Sequence, residues 1–174
     1  MLGAILGQTD RNAEALTAIK MTVTLSPKDA EAHYNLGVTL QKLLRSDEAE
    51  ASFKQAIALQ PDYAIAHFNL ASTLHDLGRL DEVEACFNKA IALQPDHAKA
   101  HHYLTTMKKF VTKDEQYSKL HELYLDEEIS EEQLCHINFA LAKASEDSED
   151  FDQAFTHYSE GNALRKKLLN YDIS

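Results

Sequence analysis

Three prolines, Pro27, Pro61 and Pro95, are evenly spaced along the chain, with a period of 34. The segments between them copy one another, since residues 30–63 and 64–97 are identical at 21 of 34 aligned positions. A period of this length fits a helix, a turn and a second antiparallel helix, a unit that cannot bury its apolar face alone. Copies of the unit must therefore stack on one another, and the chain is predicted to be all-α.

Within one copy, the apolar residues recur at helical spacing. A first helix over about residues 30–44 is predicted to bury one stripe and a second helix over 47–59 another, with Gly37 letting the two approach. Each proline should end a pair, because it excludes the preceding residue from helical geometry. The predicted stripes are His33, Leu36, Leu40 and Leu43 on the first helix, and Ala49, Phe53, Ala56 and Ile57 on the second.

These residues make the chain similar to the tetratricopeptide repeat family. Two positions depart from the family pattern: Leu44 stands where the family has glycine, and Val83 where it has alanine. The resemblance implies a right-handed α-solenoid of antiparallel helix pairs, whose concave groove binds protein or peptide. The matching positions are Leu36, Gly37, Leu40, Ala49, Phe53, Ala56 and Pro61 in one copy, and Leu70, Ala71, Leu74, Gly78, Phe87, Ala90 and Pro95 in the next.

Carried along the chain, the pattern predicts a single array over 1–174. Met1 falls inside the first helix of a repeat, so we expect a fragment of a longer protein, with Leu2, Ile5 and Leu6 forming an exposed apolar edge. Ser130 and Gln133 have the spacing of a capping box that opens a new helix. The predicted units are a truncated repeat at 1–29, repeats at 30–63 and 64–97, a degenerate repeat at 98–125, and a divergent repeat with an extended final helix at 131–168.

The last segment carries a second resemblance. A segment of roughly residues 131–172 is similar to the junction in bacterial proteins that couple these repeats to a sulfotransferase domain. The similarity is carried by residues 139–144, residues 150–165, and Tyr171 with Asp172. The resemblance implies a catalytic domain shortly after such a Tyr-Asp pair, whereas this sequence stops at Ser174. The strand, phosphate loop and helix that would hold a sulfonate donor are absent from these residues.

The charge of the chain argues against nucleic acid. The net charge is −11, and residues 126–152 hold ten carboxylates against Lys143 alone, which gives −9. Such a surface repels a phosphate backbone. The acidic segment is either a solvated connector or a docking surface for a basic partner. No run of residues approaches the length that spans a membrane, so we expect no membrane contact.

Catalytic, metal and cofactor sites are not predicted. The acidic residues lie in connectors without an apolar pocket to raise a carboxyl pKa. His97, His101 and His102 could share a helix face, but His101 repeats His33 and His67, so packing is favoured over metal binding. Cys86 and Cys135 are interpreted as buried thiols of a reducing compartment, and hence of a cytoplasmic protein.

The concave groove is the predicted binding site. Asn35 and Asn69 occupy the same place in successive copies, and an amide can both donate to and accept from a peptide backbone. These two copies resemble the asparagine ladder of O-linked N-acetylglucosamine transferase. Tyr34 and Phe68 are expected to offer exposed aromatic surface; the alternative is that both asparagines bond within the array. The predicted groove residues are Tyr34, Asn35, Val38, Lys42, Phe68, Asn69, Ser72, Asp76, Lys99 and His102.

Three functions therefore remain open. The first is a non-catalytic scaffold that binds an extended peptide or partner segment in the groove. The second is a spacer or substrate-presenting region of a larger sulfotransferase. The third is self-association through the apolar edge at the amino end.

Overall fold

The computed structural model describes residues 2–107, 109 and 115–169, with side chains from residue 14 onward. The predictions for Met1, for residues 110–114, and for Tyr171 and Asp172 lie outside the described residues, as do those for the side chains of Leu2, Ile5 and Leu6. Over the described ranges the secondary structure is helical throughout, which confirms the all-α prediction. The fold is an α-solenoid of helix pairs, and it divides into two compact units, residues 1–93 and 94–174.

Unit 1 contains five helices in antiparallel succession. They are α1 (Leu2–Leu25), α2 (Ala30–Lys42), α3 (Ser46–Leu59), α4 (Ala64–Asp76) and α5 (Leu80–Leu93). Helices α2 and α3 form one pair, α4 and α5 form the next, and α3 packs on α4. The pairs coincide with the predicted repeats 30–63 and 64–97, and Pro27, Pro61 and Pro95 each follow a helix end by two residues.

The core of each pair is built around one phenylalanine of the second helix. Phe53 and Phe87 are almost fully buried, at 0% and 1% exposure. A Cβ added to Gly37 would lie only 2.6 Å from the Phe53 ring, so the missing side chain allows α2 and α3 to approach, as predicted. Ala71, fully buried, takes the place of Gly37 in the second pair.

The amino-terminal prediction was wrong. A truncated helix pair was expected over 1–29, but the backbone runs as one continuous helix from Leu2 to Leu25. The turn between the two helices of a pair falls at Leu44 in the first pair and at Gly78 in the second. One period before Leu44 the sequence has Asp10, followed by Arg11, so it offers no glycine for a turn there. Continuing a helix adds one hydrogen bond per residue fixed, whereas a turn and a new helix require a second nucleation.

Unit 2 contains α6 (Ala98–Met107), α7 (Glu115–Tyr124), α8 (Glu131–Asp147) and α9 (Phe151–Leu168). Ser130 caps α8 with the predicted capping box, in which Gln133 N donates to Ser130 Oγ and the Gln133 side chain accepts from Ser130 N. Helices α6 and α7 were expected to pair, but both pack chiefly on α8. One apolar cluster explains this arrangement, because it joins all three helices through Ala98, Tyr117, Leu120, Leu123, Ile137, Ala140, Leu141 and Ala144.

Each histidine near the start of a first helix bonds to the preceding proline. The distances from Nε2 to the proline carbonyl oxygen are 3.0 Å for His33 and Pro27, 3.0 Å for His67 and Pro61, and 2.9 Å for His101 and Pro95. A carbonyl oxygen only accepts, so Nε2 carries the proton in all three rings. The bond fixes the turn to the helix that follows it.

Three helix pairs turn through a residue with positive φ. Leu44 (φ 58°), Gly78 (φ 73°) and Glu149 (φ 61°) share the same bonding, in which the next N–H reaches back to the carbonyl five residues earlier. This is the Schellman motif, and its left-handed residue is usually glycine. Leu44 and Glu149 therefore hold a backbone conformation that costs a residue with a Cβ about 1–2 kcal/mol.

We predict that Leu44→Gly stabilises unit 1 by about 0.5–1 kcal/mol, since relief of the left-handed strain exceeds the added freedom of glycine in the unfolded chain. The Leu44 side chain is 89% exposed, so its removal costs little packing. Urea unfolding followed by circular dichroism measures the change. The converse substitution Gly78→Ala meets nothing within 4 Å and should destabilise by about 1 kcal/mol through the backbone alone. Equal urea midpoints for both variants and the parent protein would contradict the claim that Leu44 holds a strained backbone conformation.

Candidate functional site

The predicted groove residues of unit 1 lie on α2 and α4. Asn35, Lys42 and Asp76 are exposed, and Val38 and Ser72 are half-buried. Lys42 in the last turn of α2 and Asp76 in the last turn of α4 place opposite charges on the two helix ends. This face, defined by Tyr34, Asn35, Val38, Lys42, Asn69, Ser72 and Asp76, is named the α2/α4 face.

The aromatic part of the prediction needs a correction. Phe68 was expected to be exposed, but it is 9% exposed and its ring centroid lies 5.6 Å from that of Phe87. Tyr34 is half-buried, at centroid distances of 5.9 Å from Phe53 and 5.1 Å from Tyr63. Each ring packs against the core phenylalanine of its own helix pair. The apolar surface of Phe68 is therefore buried within unit 1 and is not available to a ligand.

The two asparagines differ in their surroundings. Asn69 Nδ2 donates to the Tyr34 hydroxyl at 3.1 Å, so this amide bonds within the array, as one of the alternatives expected. Burial raises the pKa of the Tyr34 hydroxyl, with the bond from Asn69 as a smaller opposing effect. Asn35 is exposed, and its backbone carbonyl accepts from Thr39 Oγ1 at 2.9 Å. Its side-chain amide is therefore accessible on the α2/α4 face.

A second polar contact between α2 and α4 was not predicted. Gln41 Nε2 donates to Thr73 Oγ1 at 2.8 Å, and Thr73 Oγ1 donates to the Asn69 carbonyl oxygen at 2.8 Å. Thr73 is fully buried, so the bond satisfies a polar group inside unit 1. Together with the bond between Asn69 and Tyr34, it fixes the register of the two helices beneath the face.

Unit 2 contains an open cleft of about 540 Å³ between α6, α8 and α9. His102 and His136 lie in it with their Nδ1 atoms 3.2 Å apart, and His102 stacks on Phe139 at a centroid distance of 5.7 Å. Of the predicted groove residues, His102 belongs to this cleft and Lys99 lies beside it. The cleft is lined by His102, Tyr103, Thr106, Glu132, Cys135, His136, Phe139, Arg165, Leu168 and Leu169.

The environment of the two imidazoles favours their neutral forms. Burial lowers the pKa of His102 to about 4, with smaller contributions from the charges of His136 and Arg165. Burial also lowers the pKa of His136, helped by Lys99 and opposed by Glu132. Lys99 Nζ lies 2.7 Å from Glu132 Oε1, so the carboxylate at the mouth of the cleft is neutralised.

Sequence reasoning missed most of the cleft. His136 lies exactly one repeat period after His102, so the pattern carried past residue 107 points to it. The repeat register then changes, because the turn residue Glu149 lies three residues later than two full periods after the turn residue Gly78. Helix α8 is 17 residues long where α4 has 13, and this additional turn explains the change of register. Arg165, Leu168 and Leu169 come from the extended final helix and carry no repeat signal.

The other predicted features of unit 2 are structural. His97 and His101 are buried, and His97 Nδ1 accepts from Ala100 N at 3.3 Å. Over the described residues, no group of three or more His, Cys, Asp or Glu side chains could hold a metal ion. Cys135 is buried, as predicted, and donates from Sγ to the Gly161 carbonyl oxygen at 3.4 Å. The same prediction was wrong for Cys86 in unit 1, which is only half-buried. Burial raises the pKa of both thiols.

Much of the acidic segment is engaged within unit 2. Glu146 accepts from the Tyr158 hydroxyl at 3.0 Å, and burial with this bond raises the pKa of Tyr158 to about 12. Lys143 pairs with Asp147, and Lys167 pairs with Glu131. These contacts weaken the interpretation of residues 126–152 as a docking surface for a basic partner.

The comparisons with known proteins agree with this architecture. Residues 28–96 match the tetratricopeptide repeat. The match covers the two helix pairs α2–α3 and α4–α5, where the departures at Leu44 and Val83 occur. No curated protein matches the chain. In the part of the chain that the structure describes, no helix is long and apolar enough to cross a membrane.

Several solved structures share the fold. MamA of Desulfovibrio magneticus RS-1 is 19% identical with a TM-score of 0.65, over 95% of this chain and 92% of that one. A thermophilic tetratricopeptide repeat protein of Thermus thermophilus is 23% identical with a TM-score of 0.63, over 97% and 91%. A mutant O-GlcNAc transferase of Thermobaculum terrenum is 20% identical with a TM-score of 0.54, over 68% of this chain and 24% of that one. At these identities the likeness concerns the fold.

We predict that unit 2 loses stability as the pH falls from about 7 to about 4. In this window the unfolded chain binds a proton at His102, whose usual pKa is 6.5, while the folded chain does not, so acid favours unfolding. The expected loss attributable to His102 is about 1–3 kcal/mol. Urea unfolding of the parent and of His102→Gln at pH 7.5 and 5.0 measures it.

The variant should show a smaller difference between the two pH values than the parent. His75→Gln, at an exposed position of α4 in unit 1, serves as the control and should behave as the parent does. An identical pH response in all three proteins would contradict the role of His102.

Proposed function

We propose that the protein is a non-catalytic scaffold that binds an extended segment of a partner protein on the α2/α4 face. The match of residues 28–96 to the tetratricopeptide repeat and the fold shared with repeat proteins support protein binding as the general role. The observation that carries the proposal is the exposed Asn35 amide, which lies on the same face as Asn69, one repeat further along.

An extended peptide presents backbone N–H and C=O groups that need partners when they leave water. A side-chain amide supplies both a donor and an acceptor. Asn69 uses one N–H for the Tyr34 hydroxyl and so presents its amide in a fixed orientation. Lys42 and Asp76, both exposed, add charges that would select among partner sequences. A preorganised amide binds at a lower cost in side-chain entropy.

Nucleic acid is not among the proposed partners. The net charge of −11 disfavours nucleic acid, because a phosphate backbone would be repelled. The two free thiols are compatible with a cytoplasmic location, where thiols are kept reduced. We assign the chain no catalytic role and no cofactor.

Asn35→Ala combined with Asn69→Ala should weaken peptide binding about tenfold, which corresponds to about 1.4 kcal/mol. Peptides selected on the parent protein from a displayed library are the probes, and fluorescence anisotropy measures the dissociation constants. Asn88→Ala, an exposed asparagine on α5, is the matched control and should leave binding unchanged. Tyr34→Phe removes the hydroxyl that orients the Asn69 amide but keeps the amide itself, so this variant tests the effect of orientation alone.

Stability must be measured beside binding, because the loss of the bond from Asn69 to Tyr34 costs up to about 1 kcal/mol on its own. The double variant should therefore keep its free energy of unfolding within about 1 kcal/mol of the parent value. If it does so and still binds the selected peptides as tightly as the parent, the asparagine pair is not the binding element. A library that yields no peptide at all would count against the scaffold itself.

A second candidate is a spacer or substrate-presenting region of a larger sulfotransferase. One observation is in keeping with it: the helix pair α8–α9 lies within the segment that resembles such a junction. The coding sequence downstream of Ser174 is the test. A segment with a strand, a phosphate loop and a helix would support this role, and an immediate stop codon would exclude it.

Self-association through the apolar edge of Leu2, Ile5 and Leu6 stays a prediction, since those side chains lie outside the described residues. Further along α1, Met21 at 62% and Leu25 at 81% exposure add apolar surface that a second copy could cover. Light scattering across a concentration series should show a mass above that of one chain, and Met21→Glu should reduce it. A constant monomer mass would remove this candidate.

A further inference from the structure

We propose that the cleft between α6, α8 and α9 binds a partner segment that carries a side-chain carboxylate next to a large apolar side chain. This inference rests on the proposed function, since it names a second contact for the same class of ligand. It concerns unit 2 alone and residues that the groove prediction did not contain, chiefly His136, Phe139 and Arg165.

The first argument is the sign of the charge. Arg165 is exposed at the edge of the cleft, and no carboxylate among the described residues forms an ion pair with its guanidinium. The acidic residue of the lining, Glu132, is already held by Lys99 at 2.7 Å. The Cys135 thiol is buried and donates to the Gly161 carbonyl, so it adds no negative charge. In the part of the chain that the structure describes, Arg165 therefore has no carboxylate partner in the cleft.

The second argument comes from the imidazole pair. At an Nδ1–Nδ1 distance of 3.2 Å, one ring donates its Nδ1 proton and the other accepts it. The pair can take up one further proton at Nε2 without breaking this bond. A carboxylate in the cleft would favour that uptake and gain a second charged partner beside Arg165. The groups that face the pair are Lys99 and His97 on the α6 side, Glu132 and Cys135 on α8, and Arg165 on α9.

The same surroundings disfavour a cation. Arg165 lowers the pKa of both imidazoles, as does the positive charge of Lys99 for His136. A positive field that opposes protonation also opposes a metal ion at the same nitrogens. Although 3.2 Å would suit two ligands of one metal, the pair has no third ligand among the described His, Cys, Asp and Glu side chains.

The third argument is the apolar surface beside the charges. Phe139 forms the floor through its stacking on His102, and Leu168 and Leu169 border the cleft while remaining 43% and 64% exposed. Covering such side chains with an aromatic or large aliphatic group removes apolar area from water. A carboxylate on Arg165 and an apolar side chain on Phe139 and Leu168 together define the ligand.

The test uses the full chain and three capped tetrapeptides in an NMR titration. The probes are acetyl-Gly-Glu-Phe-Gly-amide, its Gln-Phe analogue and its Glu-Ala analogue. We expect the Glu-Phe peptide to bind about tenfold more tightly than either analogue, which corresponds to about 1.4 kcal/mol. Arg165→Gln should remove this preference for glutamate. Lys166→Gln, an adjacent exposed cation outside the lining, makes the same charge change and should keep the preference.

Binding should also strengthen as the pH falls from 7.5 to 5.5, because the bound carboxylate raises the pKa of an imidazole that is depressed in the free cleft. The peptide glutamate stays mostly ionised over this range. His136→Gln should abolish the pH dependence while leaving the phenylalanine preference.

Equal affinity for the Glu-Phe and Gln-Phe peptides, or equal losses in Arg165→Gln and Lys166→Gln, would overturn the cleft assignment. Zn²⁺ binding at micromolar concentration that shifts the His102 and His136 signals, with no response to the peptides, would overturn it as well. If peptides selected on the parent depend on Asn35 and Asn69 while the tetrapeptides show no preference for glutamate, the cleft assignment fails and the proposed function stands. If neither the selected peptides nor the tetrapeptides bind, both fail.

Discussion

The contact between Phe53 and the bare backbone of Gly37 is the interaction on which the helix pair α2–α3 depends. Phe53 is fully buried, and a methyl group on Gly37 would overlap its ring. Two helices can come this close only if one of them gives up a side chain. Ala71 and Phe87 hold the matching positions of the second pair, and both are almost fully buried. The close approach also affects the α2/α4 face, because Tyr34 packs on the Phe53 ring.

The repeat period was sufficient to predict the pairs at 30–63 and 64–97, including their turns and the role of Gly37. It was insufficient where a residue's surroundings depend on its neighbours in space. Phe68 has the helical position of a groove residue, yet its ring turns inward to Phe87. Periodicity places the Cα of a residue on a helix face, whereas the side-chain rotamer is decided by the space that packing leaves.

Unit 2 shows the same limit at the level of helices. The capping box at Ser130 was predicted correctly, because it is a local pattern. The packing of α6 and α7 on α8 was not, since it follows from an apolar cluster spread over three helices. The extra turn of α8 shifts the repeat register between His136 and Glu149, so a fixed period finds only part of the cleft.

The histidine that bonds to the preceding proline has a consequence for how such a chain can evolve. Donor and acceptor lie only six residues apart, as in His67 and Pro61, so the bond belongs to a short stretch of sequence. A gene duplication that copies one full period carries this stretch with it, provided that the copy begins outside the stretch itself. New units arise with their turns already fastened, and the array can lengthen or shorten by whole units without any compensating substitution elsewhere.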